Sequence, residues 1–340
     1  MATLWFCLSA IMIAVYVVLD GFDLGAGIVQ IVVARNEDDR SQILKSIGPV
    51  WDGNEVWLIA AGGTLFFAFP ALYASAFSGF YLALMIVLWL LILRGISIEF
   101  RDRVSAALWP PFWSAVFGGA SALLAGVFGV ALGNVVRGVP LDSQGYFILP
   151  LWTNLGIGSE TGIIDWYTLM VGMTSLFVLA VHGSLWVVLN VEGSLQDRVR
   201  SFGTKCWVGL VALTVSLTVV SFRIQPNLLR QYSSHPLGFV LPAMAIAGMI
   251  GSRILSARRK DLEAFLASGL YLVGMLISAA FGIFPNVLPS NSNPDLNLTI
   301  YNTATVAQRL TVGLWWFIPG VALATTYSFF VYRHFAGKVE

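Results

Sequence analysis

A chain of 340 residues that is 57% hydrophobic and 11% charged, with a mean hydropathy of +0.80, is too apolar for a water-soluble domain, in which about a quarter of residues carry charge. Its 19 basic and 18 acidic residues leave a net charge of +1, so nothing draws it to nucleic acid and the information lies in where the charges fall. Two cysteines, Cys7 and Cys206, are too few for a disulfide framework or a cysteine-rich metal site.

A membrane-spanning helix takes about 20 mostly apolar residues. Nine such stretches are predicted, at about 2–33, 53–71, 75–98, 112–136, 164–190, 203–223, 238–257, 261–285 and 308–333. The expected fold class is an all-α polytopic membrane protein, one integral membrane domain over residues 1–340. Helices 1–4 (about 2–136) and 5–8 (about 164–285) are expected as two four-helix bundles, with helix 9 (about 308–333) peripheral. The first stretch begins almost at Met1 with no basic lead-in and no small-residue cleavage site, so it reads as a retained helix.

Helix 1 contains Asp20-Gly21-Phe22-Asp23 in an otherwise apolar run. A central Asp costs about 2.5–3.5 kcal/mol to insert, so both carboxyls need partners, water or protons. Spaced i, i+3 they share a helix face, and Gly21, Gly25 and Gly27 let another backbone come close. A structural polar knot and a place in a proton path are both open readings.

Helix 2 opens with Pro49-Val50-Trp51-Asp52-Gly53-Asn54-Glu55-Val56-Trp57. Asp52 followed by Glu55 fits an N-cap with an acid at the third helical position. The functional alternative is that Asp52, Glu55, Asp20 and Asp23 line a watery way in for protons. Helix 3 ends in Arg94, Glu99, Arg101, Asp102 and Arg103, where Arg94 either joins a surface ion cluster or pairs with a helix 1 acid.

The basic residues set an orientation, because positively charged loops stay cytoplasmic. Fifteen of the 19 fall at alternate helix ends and in the tail, leaving only Arg137, Arg223, Arg230 and Arg309 on the other side. The N-terminus is then outside and the C-terminus in the cytoplasm, which needs an odd number of crossings and agrees with nine. The loops at about 137–163 and 286–307 are external and rich in Pro, Asn, Ser and Gly.

Haem or metal ligation needs convergent side chains, and His182, His235 and His334 are spread along the chain and across the membrane. His182, in mid-helix beside Gly183 and Ser184, reads as a packing or relay residue. Most of the 12 Trp lie near helix ends, as an interfacial belt. Trp57 differs, because the small residues Ala60, Ala61, Gly62 and Gly63 follow it and leave room for close packing or a passage.

The string Gly48-Pro49-Val50-Trp51-Asp52-Gly53-Asn54-Glu55-Val56-Trp57-Leu58 resembles the signature of subunit II of cytochrome bd-type quinol oxidases. It is joined in order by Asp20–Gly25, Ala74–Tyr81, Gly133–Pro140 and Phe284–Ser290, so the resemblance runs over essentially the whole chain. It implies a bacterial-type cytoplasmic membrane and a complex that oxidises quinol and reduces O2 to water with protons from the cytoplasm. In that family two b-type haems and haem d are held by the haem-bearing subunit I, and this chain would ligate none of them. One or more small single-helix subunits and a structural quinone are further expected partners. The resemblance carries a proton route onto Asp52 and an oxygen entrance onto Trp57. The chain is shorter than some members between helices 6 and 7, where a brief external link is expected, and contacts those members make there are not carried over. A purely structural subunit is the rival reading, and an ion-coupled secondary transporter lacks a matching acidic pair in the second half of the chain.

Overall fold

The computed structural model describes every residue except 159, 160, 336, 339 and 340. It contains twelve α-helices and one two-stranded sheet among the described residues. Among the described residues, eight helical stretches are long and apolar enough to cross a membrane.

Helix α1 (Ala2–Val33) is the centre of the packing, touching α3 (Trp51–Ala68), α6 (Trp109–Arg137), α7 (Trp166–Asn190) and α11 (Asp261–Ile283). Its glycines explain how one helix meets so many. A Cβ on Gly25 would lie 2.1 Å from the Leu179 carbonyl oxygen, and one on Gly27 would lie 2.4 Å from Ser121. Only the missing side chains let α7 and α6 approach this closely. Helix α7 supplies the reciprocal gap at Gly183, where a Cβ would fall 2.3 Å from the Gly25 backbone.

Sequence expectation and structure differ where chain direction changes. Residues 34–52, expected as loop, contain α2 (Glu37–Ile47), begun by Asn36, whose side chain accepts from the Asp39 amide. Helix 2 stops at Ala68, because Phe69 precedes Pro70 and leaves helical dihedrals (φ −132°, ψ 62°). The turn expected near 72–74 is instead α4 (Pro70–Gly79), started by that proline, and α5 (Tyr81–Phe100) follows at once. Helix α8 (Gly193–Ile224) begins ten residues earlier than its apolar stretch, since Arg198 and Arg200 pair with Asp39 and Asp261 and let the helix continue past the apolar layer. The brief link after α8 is itself helical: α9 (Pro226–Ser234) and a 3-10 turn lead into α10 (Val240–Ala257).

The two longer loops, after α6 and after α11, form one cap. The Val139 amide donates to the Pro289 carbonyl at 3.0 Å, and the Asn291 amide donates back to Val139 at 3.0 Å. Strands β1 (Asn286–Leu288) and β2 (Leu298–Thr299) pair beneath them, and Val139, Leu141, Phe147, Leu288 and Ile300 share a buried apolar cluster. Arg137, pinned by Asn134 and Asp165, closes the end of α6, and Asp165 caps α7 with Thr168.

Helix α12 (Ala307–His334) stands at the edge, with no buried residue in its spanning window. Two polar contacts hold its ends to the rest: the Trp5 indole donates to the Leu310 carbonyl at 3.0 Å, and Tyr332 reaches Asn54.

Candidate functional site

The polar residues of α1, α3 and α5 meet inside the bundle. Asp20, Asp23 and Arg94 are each fully buried. Arg94 Nη1 donates to Asp20 Oδ2 at 3.1 Å and Nη2 donates to Asp20 Oδ1 at 2.5 Å, a two-bond pair between α5 and α1. The same guanidinium stands 3.9 Å from Asp23 Oδ2 and 3.8 Å from Glu55 Oε2. Of the two readings of Arg94, pairing with a helix 1 acid is the one found. The surface cluster forms without it, from Arg101 with Glu37 and Asp102, and from Arg103 with Glu99.

Asp23 is held differently. Asn54 Nδ2 donates to its Oδ2 at 2.8 Å, while Tyr332 OH donates to Asn54 Oδ1 at 2.6 Å and so orients the amide. Asp23 Oδ1, Arg94 Nε and the hydroxyl of Tyr16 are buried with no hydrogen-bond partner among the described residues. Native interiors leave few such atoms, so three in one cluster mark a site with unspent hydrogen-bonding capacity.

The α3 acids lead outward from this core. Asp52 is exposed, and Glu55, one turn further in, keeps 24% of its side chain exposed. Asp52 is not the helix cap that its spacing suggests. Helix α3 starts at Trp51: the Val50 carbonyl accepts from the Asn54 amide at 3.0 Å, which makes Val50 the N-cap residue, and its side chain has no oxygen to cap with. Asp52 therefore sits in the first turn, where its charge meets the helix dipole without closing a cap bond.

Trp57 is 7% exposed and packs with Met12, Tyr16 and Ala61. It forms part of the wall of a cavity of about 580 Å³ between α1, α3 and α12, lined also by Gly53, Val56, Gly63, Phe317 and Val321. One face of α3 therefore lines an open apolar cleft, while Asn54 faces Asp23 and Glu55 faces Arg94.

His182 lies on the far side of α1. Its Nε2 is 2.9 Å from the Val18 carbonyl and its Nδ1 is 2.7 Å from Ser268 Oγ, with Phe265 stacked at 4.7 Å. Both ring nitrogens are engaged within the chain. Among the described residues no group of three or more His, Cys, Asp or Glu is placed to hold a metal ion.

Every sequence-derived candidate except exposed Asp52 thus joins or borders one cluster. The sequence reading missed Asn54 and Tyr332 as parts of it. An amide inside an apolar helix is a signal in its own right, whereas Tyr332, 278 positions from its partner, offers none.

The family model described as cytochrome bd terminal oxidase subunit II matches residues 1–335. The chain is 28% identical over 363 residues to a cytochrome bd-I ubiquinol oxidase subunit 2 of Escherichia coli (strain K12), covering 99% of this chain and 94% of that one. It is 29% identical over 338 residues to a cytochrome bd ubiquinol oxidase subunit 2 of Bacillus subtilis (strain 168), covering 97% and 95%. The fold matches a chain of the bd oxidase from Geobacillus thermodenitrificans with a TM-score of 0.78 at 16% identity, over 98% of both chains.

Proposed function

Since the chain belongs to the cytochrome bd terminal oxidase subunit II family, we propose that within the quinol:oxygen oxidoreductase it both braces the haem-bearing subunit I and admits protons from the cytoplasmic face. The observation that carries this reading is the charge count around Arg94. One guanidinium faces the carboxyl groups of Asp20, Asp23 and Glu55. Such a cluster is electrically neutral only when it also holds two protons. A low-dielectric site strongly disfavours leftover charge.

The proposed division of labour follows from the bonds. Asp20 is the fixed counter-ion, since both of its oxygens are taken by Arg94. Asp23 is the exchanging group, having one free oxygen. Protons enter at exposed Asp52, pass by way of Glu55 and reach Asp23, with mobile water completing steps that side chains do not span. Trp57 and the open apolar cleft beside it suit a small apolar molecule, and the reading assigns them to oxygen access.

The proposal includes nine crossings in one integral domain, with α3 counted as a span although Asp52, Asn54 and Glu55 reduce its apolarity. It places the N-terminus outside and the C-terminus inside, in two four-helix groups with α12 peripheral. Haem b and haem d belong to subunit I in this reading, which His182 supports by having no free ring nitrogen. The reading adds a bound quinone and one or more small single-helix subunits to the complex.

A purely bracing role is favoured by one observation, the two-bond Arg94–Asp20 pair, which suits a fixed knot. The test is oxygen consumption by the assembled complex carrying Asp23→Asn. Slow turnover at full haem content supports the conduit. Wild-type turnover across pH leaves only the brace.

A further inference from the structure

Hydroxyl groups buried in this bundle are mostly spent. The Tyr167 hydroxyl lies 2.9 Å from Ser221 Oγ, that of Tyr271 lies 2.7 Å from Thr214 Oγ1, and Tyr232 donates to the Ser278 carbonyl at 2.9 Å. Hydroxyls inside helices commonly return their proton to the backbone one turn back, as Thr174 does to Met170 and Ser184 to Ala180. Tyr16 is the exception among the buried tyrosines, for its hydroxyl has no partner among the described residues. A buried polar group left unpaired costs about 1–3 kcal/mol. Packing alone therefore does not explain a hydroxyl at this position.

Tyr16 belongs to a seam. Ser9, Tyr16, Asp23 and Gln30 follow one another on α1 at seven-residue spacing, are 3%, 4%, 0% and 3% exposed, and each keeps a side-chain oxygen without a partner. Seven residues are close to two turns, so the four share one face over about 31 Å of helix, comparable to the apolar core of a bilayer. Helix α3 runs antiparallel beside it: Asn54 meets Asp23, Trp57 and Ala61 pack with Tyr16 and Met12, and the Phe67 ring lies 5.1 Å from that of Trp5. Seen from Asp52, Tyr16 is thus the next member of the seam beyond the carboxyl cluster, and Ser9 the one after. The charges around the Tyr16 hydroxyl are those of Asp20, Arg94 and Glu55, while α6 presents only the edge of Phe128.

We propose that protons leave the carboxyl cluster through the Tyr16 hydroxyl, toward the half of the membrane away from Asp52, with Ser9 next in line. The inference rests on the conduit reading and supplies the exit that reading lacks. Asp20 cannot pass a proton on, because Arg94 occupies both of its oxygens. Asp23 Oδ1 is open on the same face of α1. A proton released there travels by way of water to the phenol oxygen, and the phenol gives up its own proton on the other side, so the charge of the residue is unchanged. A hydroxyl can do this because it both donates and accepts.

The test compares oxygen consumption by the assembled complex in H2O and D2O, per haem d, for wild type, Tyr16→Phe, Asp23→Asn and Phe128→Leu. Tyr16→Phe keeps the ring and removes a hydroxyl that makes no bond, so it should assemble with full haem content. It is expected to turn over several-fold more slowly at unchanged KM for quinol, with a larger solvent isotope effect, as Asp23→Asn should also show. Phe128→Leu loosens the packing of the Tyr16 ring, keeps the hydroxyl and should show the wild-type isotope effect. If Asp23→Asn is slow while Tyr16→Phe behaves as wild type, the conduit stands and this exit is overturned. If Asp23→Asn itself turns over as wild type, the conduit reading falls and the exit with it. Loss of the complex in Tyr16→Phe, slower turnover without a larger isotope effect, or an equally raised effect in Phe128→Leu would each make the role of Tyr16 structural and overturn the proposal.

Discussion

Arg94 and Asp20, 74 positions apart, form a two-bond ion pair with both side chains fully buried, and it joins α5 to α1 at the level where α3 brings in Asn54 and Glu55. A buried pair adds little stability over a well-packed apolar one, yet removing one partner costs about 3–5 kcal/mol. Arg94→Gln leaves three carboxyl groups with no cation and is expected to abolish accumulation of the complex. Arg94→Lys, which keeps the charge and loses the fork, should recover part of it. Haem d absorbance per unit membrane protein reads the outcome. Normal levels for Arg94→Gln would show that the pair does not organise the bundle.

Asp52 separates the conduit from the brace most cleanly, because it makes no cap bond. Asp52→Asn and Asp52→Ala should both assemble normally, since losing a first-turn charge costs only about 0.3–1 kcal/mol. Both are expected to slow oxygen consumption several-fold. If both respire at the wild-type rate across pH, protons do not enter at Asp52.

Tyr332 fixes the orientation of Asn54 and, through it, of Asp23. Tyr332→Phe removes one hydrogen bond, worth about 0.5–1.5 kcal/mol, so the complex should assemble. Its turnover should fall and its pH–rate profile should move, because the Asn54 amide is free to rotate. A lower thermal midpoint with an unchanged pH profile would make Tyr332 a tether for α12 and nothing more.

Gly25 faces the Leu179 carbonyl and the Gly183 backbone with no space for a methyl group. Gly25→Ala is expected to push α1 and α7 apart and to reduce the yield of complex sharply, beyond the usual roughly 1–3 kcal/mol of overpacking, because the clash is with the α7 backbone, which cannot turn aside as a side chain can. Gly62→Ala, where a Cβ meets nothing within 4 Å, is the matched control and should be silent. Equal yields for the two would mean that the close approach is dispensable.

The proposed orientation predicts that a reporter fused after the last residue is active only on the cytoplasmic side. Activity only outside would overturn this topology, leaving either the N-terminus inside with an odd number of crossings or the N-terminus outside with an even number.

The class of the protein was legible in the chain alone, because insertion into a bilayer is decided locally: each span must bury its own backbone and be apolar over about 20 residues. The acids of α1 and α3 could be picked out by the same reasoning, since a carboxyl in such a span has to be explained where it stands. Their partners could not. Arg94 was compatible with a surface cluster until α5 was seen against α1, and Asn54 and Tyr332 acquired a role only once α12 crossed beside α3. The Asp52 cap failed for a related reason: spacing shows that two side chains can reach a helix start, while the preceding turn, held here by Val50, decides where that start is. The helices themselves were determined by local composition. Which polar groups neutralise one another was determined by the packing of α3 and α5 beside α1, because an ion pair requires atoms within about 4 Å, and only tertiary packing brings residues so far apart in sequence to that distance.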